Sequence, residues 1–418
     1  MKRAVIFNLG CKVNQYECDV LAQELAARGY GVSEELGYAD LYIVNTCAVT
    51  AEAERKSRQV IARCRKHNPS ARIMITGCAS EKNKDFYIKS GVQYVSGVAD
   101  KKAILTHLDG ELAVNDARPA AFEEPDCVPA VSRTRAYVKI QDGCDNFCSY
   151  CIIPYLRGRS RSRDLSACVR EIGALAGKTG EIVLTGINLS KFGQDTGTSL
   201  AELIEKIADV PVRIRLGSFY VEGVDERLLN ALKGLKEFCP HFHLSLQNGD
   251  DGVLKDMGRK YTSREYLDKV ALIRRYFPSA AITTDVIVGY PTETEEAFRN
   301  TLAFVREAAF ADLHIFPFSA REGTRAALLA PLDPSVIARR KNELAKERDV
   351  LRTAYIDSMT GIPQKALFEE VRDGYAVGYS EYYLRIYTPC DVHVVGKCAI
   401  IIPTEKFHDG LKGEIYGK

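Results

Sequence analysis

The segment Asp142–Arg163, DGCDNFCSYCIIPYLRGRSRSR, is the part of this sequence that most directly predicts the fold and its chemistry. Its cysteines Cys144, Cys148 and Cys151 have the spacing C-x3-C-x2-C and follow a strand-like run, Ala136–Ile140. Three thiolates within eight residues are typical of a metal centre. Because the segment has three cysteines rather than four, it predicts an iron–sulfur cluster in which one iron is open to another ligand.

Two other interpretations of these thiols are a zinc site and a disulfide with one spare thiol. A zinc site needs a fourth ligand, and no Cys or His occurs between Cys151 and Cys168. The chain has thirteen cysteines, an odd number that argues against a secreted disulfide framework and for a reducing compartment. We therefore favour the cluster and expect a cytoplasmic protein.

Length and composition limit the number of domains and the kinds of partner. A chain of 418 residues is too long for one ordinary core, so we expect two or three domains. With 57 basic and 55 acidic residues the chain is almost neutral, and a polyanionic partner would need a local basic patch. Apolar runs are too short for a signal peptide or a membrane-spanning helix, so no membrane partner is expected.

The first hundred residues alternate short strand-like runs with helical patterns. The runs are Val5–Phe7, Leu41–Val44 and Ile73–Ile75, and helical patterns follow each of them, at 14–28 and 51–66 for the first two. This alternation predicts a doubly wound parallel sheet with helices on both faces.

Three cysteines fall just after these strand-like runs. Cys11, Cys47 and Cys78 occur in the segments NLGC, NTC and TGC, two to four residues beyond a run. Loops at the carboxyl edge of a parallel sheet converge, so the sequence predicts a second three-cysteine site there. The other cysteines are interpreted as packing or loop residues: Cys18, Cys64, Cys127, Cys168, Cys239, Cys390 and Cys398.

Taken together, LGCKVNQYECD, NTCAVT, TGC and CxxxCxxC resemble the methylthiotransferase family of radical S-adenosylmethionine (SAM) enzymes over essentially the whole chain. The resemblance implies two 4Fe–4S clusters, one on each cysteine triad, with SAM on the open iron of the cluster held by Cys144, Cys148 and Cys151. GCKVNQYE resembles the branch that modifies N6-threonylcarbamoyladenosine at tRNA position 37. The isopentenyladenosine and ribosomal-protein S12 aspartate branches stay open as alternatives.

The central region predicts a (βα)6 partial barrel, which is also the fold that the resemblance implies. Its six strand-like runs are Tyr137–Gln141, Ile182–Thr185, Val212–Leu216, Phe242–Gln247, Ile282–Val288 and Leu313–Phe318. In such barrels the site occupies the carboxyl ends of the strands. By resemblance, the residues expected to bind SAM are Tyr150, Thr185, Gly186, Asn188, Ser218, Gln247, Val288 and Phe318.

Four arginines, Arg157, Arg159, Arg161 and Arg163, follow the cysteine loop. Residues 131–165 contain seven basic and three acidic side chains, although the whole chain is almost neutral. We expect these arginines to contact RNA or substrate, because guanidinium groups bind phosphates and carboxylates well. A solvated charged face is the alternative.

The C-terminal region changes from a helix, Pro334–Thr353, to a β pattern from about Ile362. Its strand-like runs are Lys365–Val371, Tyr375–Gly378, Tyr382–Tyr387 and Val392–Ile402. It resembles the TRAM domain, a small antiparallel RNA-binding barrel. Seven basic and eight acidic residues in 362–418 give weak attraction for phosphates, so base stacking is the better expectation. The candidate stacking residues are Tyr375, Tyr379, Tyr382, Tyr383 and Tyr387.

The predicted domains are 1–110 with the second cluster, a proline-containing linker at 111–132, the radical SAM domain at 133–355 and the TRAM-like domain at 356–418. The resemblance implies that SAM cleavage gives a 5′-deoxyadenosyl radical that removes the C2 hydrogen of the adenosine, and that a methylated sulfur then joins the base. No acid–base side chain is assigned. The expected partners are the tRNA anticodon stem-loop and an external one-electron reductant. A non-catalytic iron–sulfur RNA-binding protein is the alternative of another class.

Overall fold

The structure is a computed structural model that describes residues 1–49, 51–129, 131, 133–389 and 392–416. Cys390, interpreted above as a packing residue, lies outside the described residues. The chain divides into two compact units. The first consists of Met1–Ser132, Lys139–Arg163 and Ser319–Ala327, and the second of Arg133–Val138, Asp164–Phe318 and Leu328–Lys418. Both cysteine triads therefore belong to the first unit.

The first unit contains a parallel sheet with the strand order β2-β1-β3-β4-β5-β6. Its strands are β1 Arg3–Asn8, β2 Gly31–Ser33, β3 Leu41–Thr46, β4 Arg72–Gly77, β5 Tyr94–Ser96 and β6 Ala113–Asn115. Its helices are α1 Lys12–Ala27, α2 Ala51–His67, α3 Cys78–Lys82 and α4 Lys84–Lys89. Ile43 packs with Leu21 of α1, and Val44 packs with Ile61 of α2, so helices cover both faces. The doubly wound fold is confirmed.

The segment predicted as a linker, 111–132, starts with the edge strand β6, which pairs with β5. The linker prediction is corrected for residues 113–115. A strand of three residues is too short to show an alternation of apolar and polar side chains. The prolines and acidic residues that follow it therefore led to the prediction of a linker.

The chain then enters β7, Arg135–Lys139, and the cysteine segment. This segment contains an antiparallel pair of two-residue strands, β8 Gln141–Asp142 and β9 Arg161–Ser162, and the helix α5 Ile153–Arg157. The β8–β9 pair closes the loop that carries Cys144, Cys148 and Cys151.

The second unit continues from β7 with five strands: β10 Glu181–Thr185, β11 Arg213–Leu216, β12 His241–His243, β13 Ala281–Val288 and β14 Asp312–Pro317. Together with β7 they form two three-stranded sheets, β11-β10-β7 and β12-β13-β14. Isolated parallel bridges, such as Ile214–Phe238, connect the two sheets. The helices between them are α6 Leu165–Leu175, α7 Leu200–Lys206, α8 Glu226–Gly234, α9 Asp251–Met257, α10 Ser263–Tyr276 and α11 Glu295–Ala308. Six strands alternating with helices confirm the partial barrel.

The C-terminal part begins with a long helix, α12 Pro334–Ser358, and ends in a closed barrel with the order β15-β16-β17-β19-β18. The strands are β15 Gln364–Arg372, β16 Tyr375–Ser380, β17 Arg385–Pro389, β18 Cys398–Phe407 and β19 Gly410–Ile415. The sequence pattern missed β19, because Gly410 and Gly413 interrupt its hydrophobic alternation. Among the described helices, none combines the length and apolar character needed to cross a bilayer.

Candidate metal centres

The first cysteine triad lies at the carboxyl edge of three neighbouring strands. Strand β3 pairs in parallel with β1 and with β4, the latter register running through to Gly77. Cys11 is the residue before α1, Cys47 directly follows β3, and Cys78 directly follows β4. The fold therefore brings three cysteines, separated by more than sixty positions in sequence, to one edge of the sheet.

The thiols of this triad interact electrostatically. Burial raises the pKa of Cys47 to about 11, and the nearby thiols of Cys78 and Cys11 act in the same direction. Burial also raises the pKa of Cys78, whereas the Arg157 guanidinium opposes that rise. Cys47 and Cys78 are buried and Cys11 is exposed. Neighbouring thiolates, two of them buried, are costly without positive charge, and a metal centre supplies such charge while displacing the protons.

Gly77 makes the approach of β4 to β3 possible. Its φ is +108°, and a Cβ at this position would lie only 2.4 Å from the carbonyl oxygen of Thr46. Any other residue would combine backbone strain with a steric clash. The position of Cys78, the next residue, therefore depends on a glycine that the segment TGC supplies.

The second triad lies within one short loop. The Cys144 N–H donates to the carbonyl of Gly158 at 3.1 Å, and the Cys151 N–H donates to the carbonyl of Cys148 at 3.0 Å. Gly143, with φ +71°, allows close backbone approach, because a Cβ there would lie 1.9 Å from a backbone oxygen of the segment after α5. Cys144 and Cys148 are buried and Cys151 is partly buried. The three thiols of this triad thus come from a single loop of eight residues.

Another group of possible metal ligands is drawn together more tightly than either cysteine triad. Among the described residues, this group consists of three possible metal ligands whose donor atoms all lie within 4.8 Å of one another: His243, Asp285 and His314. Neither cysteine triad is drawn together so tightly. In an iron–sulfur cluster each thiolate binds a different iron, which keeps the sulfur ligands further apart than around one ion.

Arg157 connects the segments that carry the two triads. It ends α5, and its side chain is fully buried. The guanidinium donates to Asp142 at 3.0 and 3.1 Å, to Glu17 at 3.2 Å and to Asn14 at 3.1 Å, the last two being residues of α1. Burial alone would lower the pKa of Arg157, but Asp142 and the thiol of Cys78 raise it well above its ordinary value. Arg157 is thus a fixed buried cation next to the first triad.

Lys139 and Lys101 complete this buried charge network. Lys139 contacts Glu17 at 3.0 Å and Asp142 at 2.7 Å, and Lys101 contacts Glu17 at 3.1 Å. Burial favours the neutral acids, yet these cations and Arg157 hold the pKa values of Glu17 and Asp142 far below their ordinary range. The sequence did not predict this network, because Glu17, Lys101 and the segment from Lys139 to Arg157 are far apart in the chain.

The other three arginines of the expected substrate group differ in exposure. Arg161 is buried and donates to the carbonyl of Arg157 at 2.7 Å, and Arg163 is buried with its Nε bonded to Glu124 at 2.9 Å. Arg159 has 76% of its side chain exposed. Burial in ion pairs corrects the expectation of direct RNA contact for Arg157, Arg161 and Arg163, while contact by Arg159 stays a prediction.

The residues expected to bind SAM occur in both units. Tyr150 lies in the cysteine loop of the first unit. The others lie in the second unit, at or just beyond the carboxyl ends of β10 to β14: Thr185, Gly186, Asn188, Ser218, Gln247, Val288 and Phe318. The regular pairing of β12 ends at His243, earlier than predicted, and Gln247, which has φ +77°, keeps one isolated parallel bridge to Val286 of β13. Their contact with SAM stays a prediction.

Sequence analysis also missed a polar group on β12, β13 and β14. Asp285 accepts from His243 Nε2 and His314 Nδ1, both at 3.2 Å, and His243 Nδ1 contacts Thr283 Oγ1 at 2.9 Å. Burial would raise the pKa of Asp285, but its bonds to His243 and His314 lower it. The sequence does contain a signal for this group. Polar side chains occur at alternate positions of HFH and TTD, and alternate residues of a strand lie on the same face.

The tyrosines expected to stack on RNA bases make contacts within the second unit. Tyr383 stacks on Tyr379 at 5.0 Å and on His241 at 4.7 Å, and Arg215 lies 5.0 Å from its ring centroid. Tyr387 is buried. These rings therefore join the C-terminal barrel to the parallel strands, as tyrosines in packed sheets commonly do.

A buried carboxylate, Glu181 of β10, strengthens the same junction. It accepts from Arg213 Nε at 3.1 Å and from Arg215 Nε at 2.8 Å. The two arginines also donate to backbone carbonyls of the C-terminal barrel, Lys365 at 2.6 Å and Ser380 at 3.0 Å. Sequence analysis did not predict these contacts.

Comparison with known proteins agrees with this architecture. Residues 138–305 match the Radical SAM superfamily, and residues 3–97 match a family described as Uncharacterized protein family UPF0004. A relative from Thermotoga maritima, named Threonylcarbamoyladenosine tRNA methylthiotransferase MtaB, is 40% identical over 404 residues, covering 92% of this chain and 91% of that protein. A relative from Desulfotalea psychrophila, named tRNA-2-methylthio-N(6)-dimethylallyladenosine synthase, is 33% identical, covering 93% and 91%.

Among solved structures, the radical SAM methyltransferase TsrM from Kitasatospora setae is similar with a TM-score of 0.55. The match covers 76% of this chain and 72% of that one at 17% sequence identity. Such a likeness concerns the fold alone.

Proposed function

We propose that this chain, which belongs to the radical SAM methylthiotransferase family, inserts a methylthio group at C2 of N6-threonylcarbamoyladenosine at tRNA position 37. The observation that carries the proposal is the presence of two cysteine triads in one compact unit, in a family whose reaction needs a radical and a sulfur atom. When bound, two 4Fe–4S clusters and SAM supply that one-electron and sulfur chemistry.

The residues present fit two clusters. Each triad offers three thiols, and Cys18, the other cysteine of LGCKVNQYECD, packs in the hydrophobic core, which suits clusters with one open iron. Beside the first triad, Arg157 Nε is buried without a hydrogen-bond partner among the described residues. A buried donor next to thiolates can bond to a sulfur of a cluster, and its charge offsets the thiolate charge.

The roles of the chain's own residues follow from this arrangement. Cys11, Cys47 and Cys78 would hold the cluster that carries the sulfur, and Cys144, Cys148 and Cys151 the cluster that binds SAM. Residues at the carboxyl ends of β10 to β14, such as Asn188 and Gln247, would position SAM. We assign no acid–base side chain, and we propose a cytoplasmic location with an external one-electron reductant.

The choice of nucleoside is supported by the relatives. The Thermotoga maritima protein named for threonylcarbamoyladenosine is 40% identical to this chain, whereas the Desulfotalea psychrophila protein named for dimethylallyladenosine is 33% identical. The segment GCKVNQYE agrees with the former branch. The same chemistry on isopentenyladenosine is therefore the second candidate.

Mass spectrometry of tRNA nucleosides separates these candidates. In a strain that lacks this protein, 2-methylthio-N6-threonylcarbamoyladenosine should disappear and its unmodified precursor should accumulate, while expression of the chain should restore the product. Loss of the methylthio group from isopentenyladenosine instead would establish the second candidate. An unchanged nucleoside profile would refute both.

A further inference from the structure

The C-terminal barrel and the arginines after the cysteine loop do not account well for binding of a polyanion. Residues 362–418 contain one more acidic than basic side chain, and Tyr379 and Tyr383 are engaged in contacts within their own unit. Three of the four arginines after the cysteine loop are buried. Phosphate recognition requires exposed cations, so another surface should supply them.

Helix α2 is the most basic helix in the described part of the chain. Its sequence, AEAERKSRQVIARCRKH, contains six lysines or arginines and two glutamates. Its apolar stripe, Val60, Ile61 and Cys64, packs into the core of the first unit. The opposite face is exposed and presents Arg55, Lys56, Arg58, Arg63 and Lys66.

Among the described residues, most of these cations have no carboxylate within salt-bridge distance. Lys56 pairs with Glu52 at 3.1 Å, but in the part of the chain that the structure describes no carboxylate lies within 4.0 Å of Arg55, Arg63 or Lys66. Exposed arginines on helices of the second unit differ in this respect. Arg227, Arg264 and Arg275 each have a carboxylate at 2.5 to 3.3 Å, namely Glu205, Asp268 and Glu226.

The position of α2 relates it to the first cysteine triad. The helix starts four residues after Cys47, so its N-terminal end lies at the carboxyl edge of the sheet. From Arg55 to Lys66 the basic face extends for about 16 Å, long enough to lie beside several phosphates. A strand bound along this face would have one end near the triad.

An aromatic side chain borders the same face. Phe86 of α4 is 37% exposed, and the Arg58 guanidinium lies 5.6 Å from its ring centroid. Basic side chains next to an exposed ring are typical of surfaces that bind unpaired nucleotides, because the phosphates meet the cations and a base stacks on the ring.

We propose that the exposed face of α2, with Arg55, Arg58, Arg63, Lys66 and the neighbouring Phe86, binds the sugar–phosphate backbone of the tRNA substrate and directs it to the edge of the first cysteine triad. This inference rests on the proposed function for the identity of the RNA. It assigns the electrostatic part of binding to the N-terminal unit.

The test compares two triple variants with the same change in charge. Arg55→Gln, Arg63→Gln and Lys66→Gln are combined in one protein, and Arg227→Gln, Arg264→Gln and Arg275→Gln are combined in the control. Glutamine is tolerated on helix surfaces. Anisotropy of a labelled, unmodified tRNA transcript with adenosine at position 37 gives the affinity between about 50 and 200 mM salt.

The α2 variant should bind the transcript on the order of tenfold more weakly, and the slope of log affinity against log salt should become shallower by about 2–3, since each lost phosphate contact removes about 0.7–0.9. The control should match the wild type. Circular dichroism and iron content equal to those of the wild type show that the α2 variant is folded.

Wild-type affinity and slope in the α2 variant would overturn the proposal, as would equal losses in both variants, which would indicate an effect of net charge alone. The proposed function fails separately. If RNA binding depends on α2 but no methylthio nucleoside forms, the nucleoside assignment is wrong and the surface assignment stands. If product forms while the α2 variant binds normally, the surface assignment is wrong.

Discussion

The two cysteine triads of the first unit are built in opposite ways. Cys11, Cys47 and Cys78 come from three loops and meet because β1, β3 and β4 are neighbours in the sheet. Cys144, Cys148 and Cys151 occupy one loop of eight residues that β8 and β9 close. The first triad depends on long-range strand pairing and the second on local backbone geometry. Mutations should therefore affect them separately, except at residues that both share.

The largest effect is expected for Cys148→Ala in the local triad. Without this thiolate the SAM-binding cluster should be lost, so formation of 5′-deoxyadenosine from SAM should fall to background in the reduced, reconstituted protein. Iron analysis should still find the cluster of the long-range triad. Wild-type iron content in this variant would contradict the assignment of Cys148 as a ligand.

Cys47→Ala tests the long-range triad in the same assay. SAM cleavage should continue, because the local triad is intact, whereas the methylthio nucleoside should not form. High-performance liquid chromatography of 5′-deoxyadenosine and mass spectrometry of the nucleosides measure the two outcomes in one reaction. Formation of the methylthio nucleoside at the wild-type rate would exclude a ligand role for Cys47.

Arg157→Gln should affect both triads, because this side chain joins α5 to α1. The change leaves Asp142 and Glu17 buried with one cation fewer, and losing one partner of a buried ion pair costs about 3–5 kcal/mol. We expect lower thermal stability and reduced iron retention on both triads. Arg159→Gln, at an exposed position two residues away, is the matched control and should retain both clusters. Loss of iron from only one triad would show that Arg157 does not connect them.

Gly77→Ala should damage only the long-range triad. An alanine at φ +108°, ψ −167° costs about 1–3 kcal/mol in backbone strain, and its Cβ would clash with the carbonyl of Thr46. Iron content should fall towards one cluster while SAM cleavage persists. Gly29→Ala is the control, since Gly29 also has a positive φ, +83°, but no atom within 4 Å of a Cβ. If both variants lose iron equally, the loss is caused by backbone strain and not by the clash between β4 and β3.

Glu181→Gln should leave both triads intact and destabilise the second unit. Although burial favours the neutral acid, Arg215 and Arg213 hold the pKa of Glu181 well below its ordinary value. A depressed pKa contributes stability above the unfolded value, about 4.3, and that contribution is lost as the pH falls through the folded value. The difference in unfolding free energy between wild type and variant should therefore be largest above about pH 5 and shrink on acidification. A difference that does not vary with pH would contradict the ionised state of Glu181.

The sequence predicted the features that depend on local patterns. Residue types at fixed spacing indicated the cysteines at strand ends, the alternation of strands and helices, and the C-x3-C-x2-C loop. The structure accordingly has the doubly wound sheet, the partial barrel and the small barrel. The same patterns failed for short or glycine-rich strands, where the hydrophobic period is too brief or interrupted: β2, β5, β6 and β19.

Contacts between distant side chains were not predictable in this way. The arginines after the cysteine loop were interpreted as one exposed group, but Arg157, Arg161 and Arg163 are buried by partners such as Glu17 and Glu124. A charge run in sequence does not show which charges have partners in the fold, since Glu17 and Glu124 come from segments more than thirty positions away. The exposure of the α2 cations could have been predicted from the sequence, because the basic and apolar residues of this helix fall on different faces.

The first unit is completed by a late stretch of the chain, Ser319–Ala327. The Ala326 N–H donates to the carbonyl of Ser149 at 2.8 Å, inside the loop of the local triad. At about 5–20 residues per second, ribosomes need roughly eight to thirty-five seconds to proceed from Cys151 to this stretch. During that interval the nascent chain exposes thiols whose loop is unfinished, so iron delivery to the protein should follow, rather than accompany, its translation.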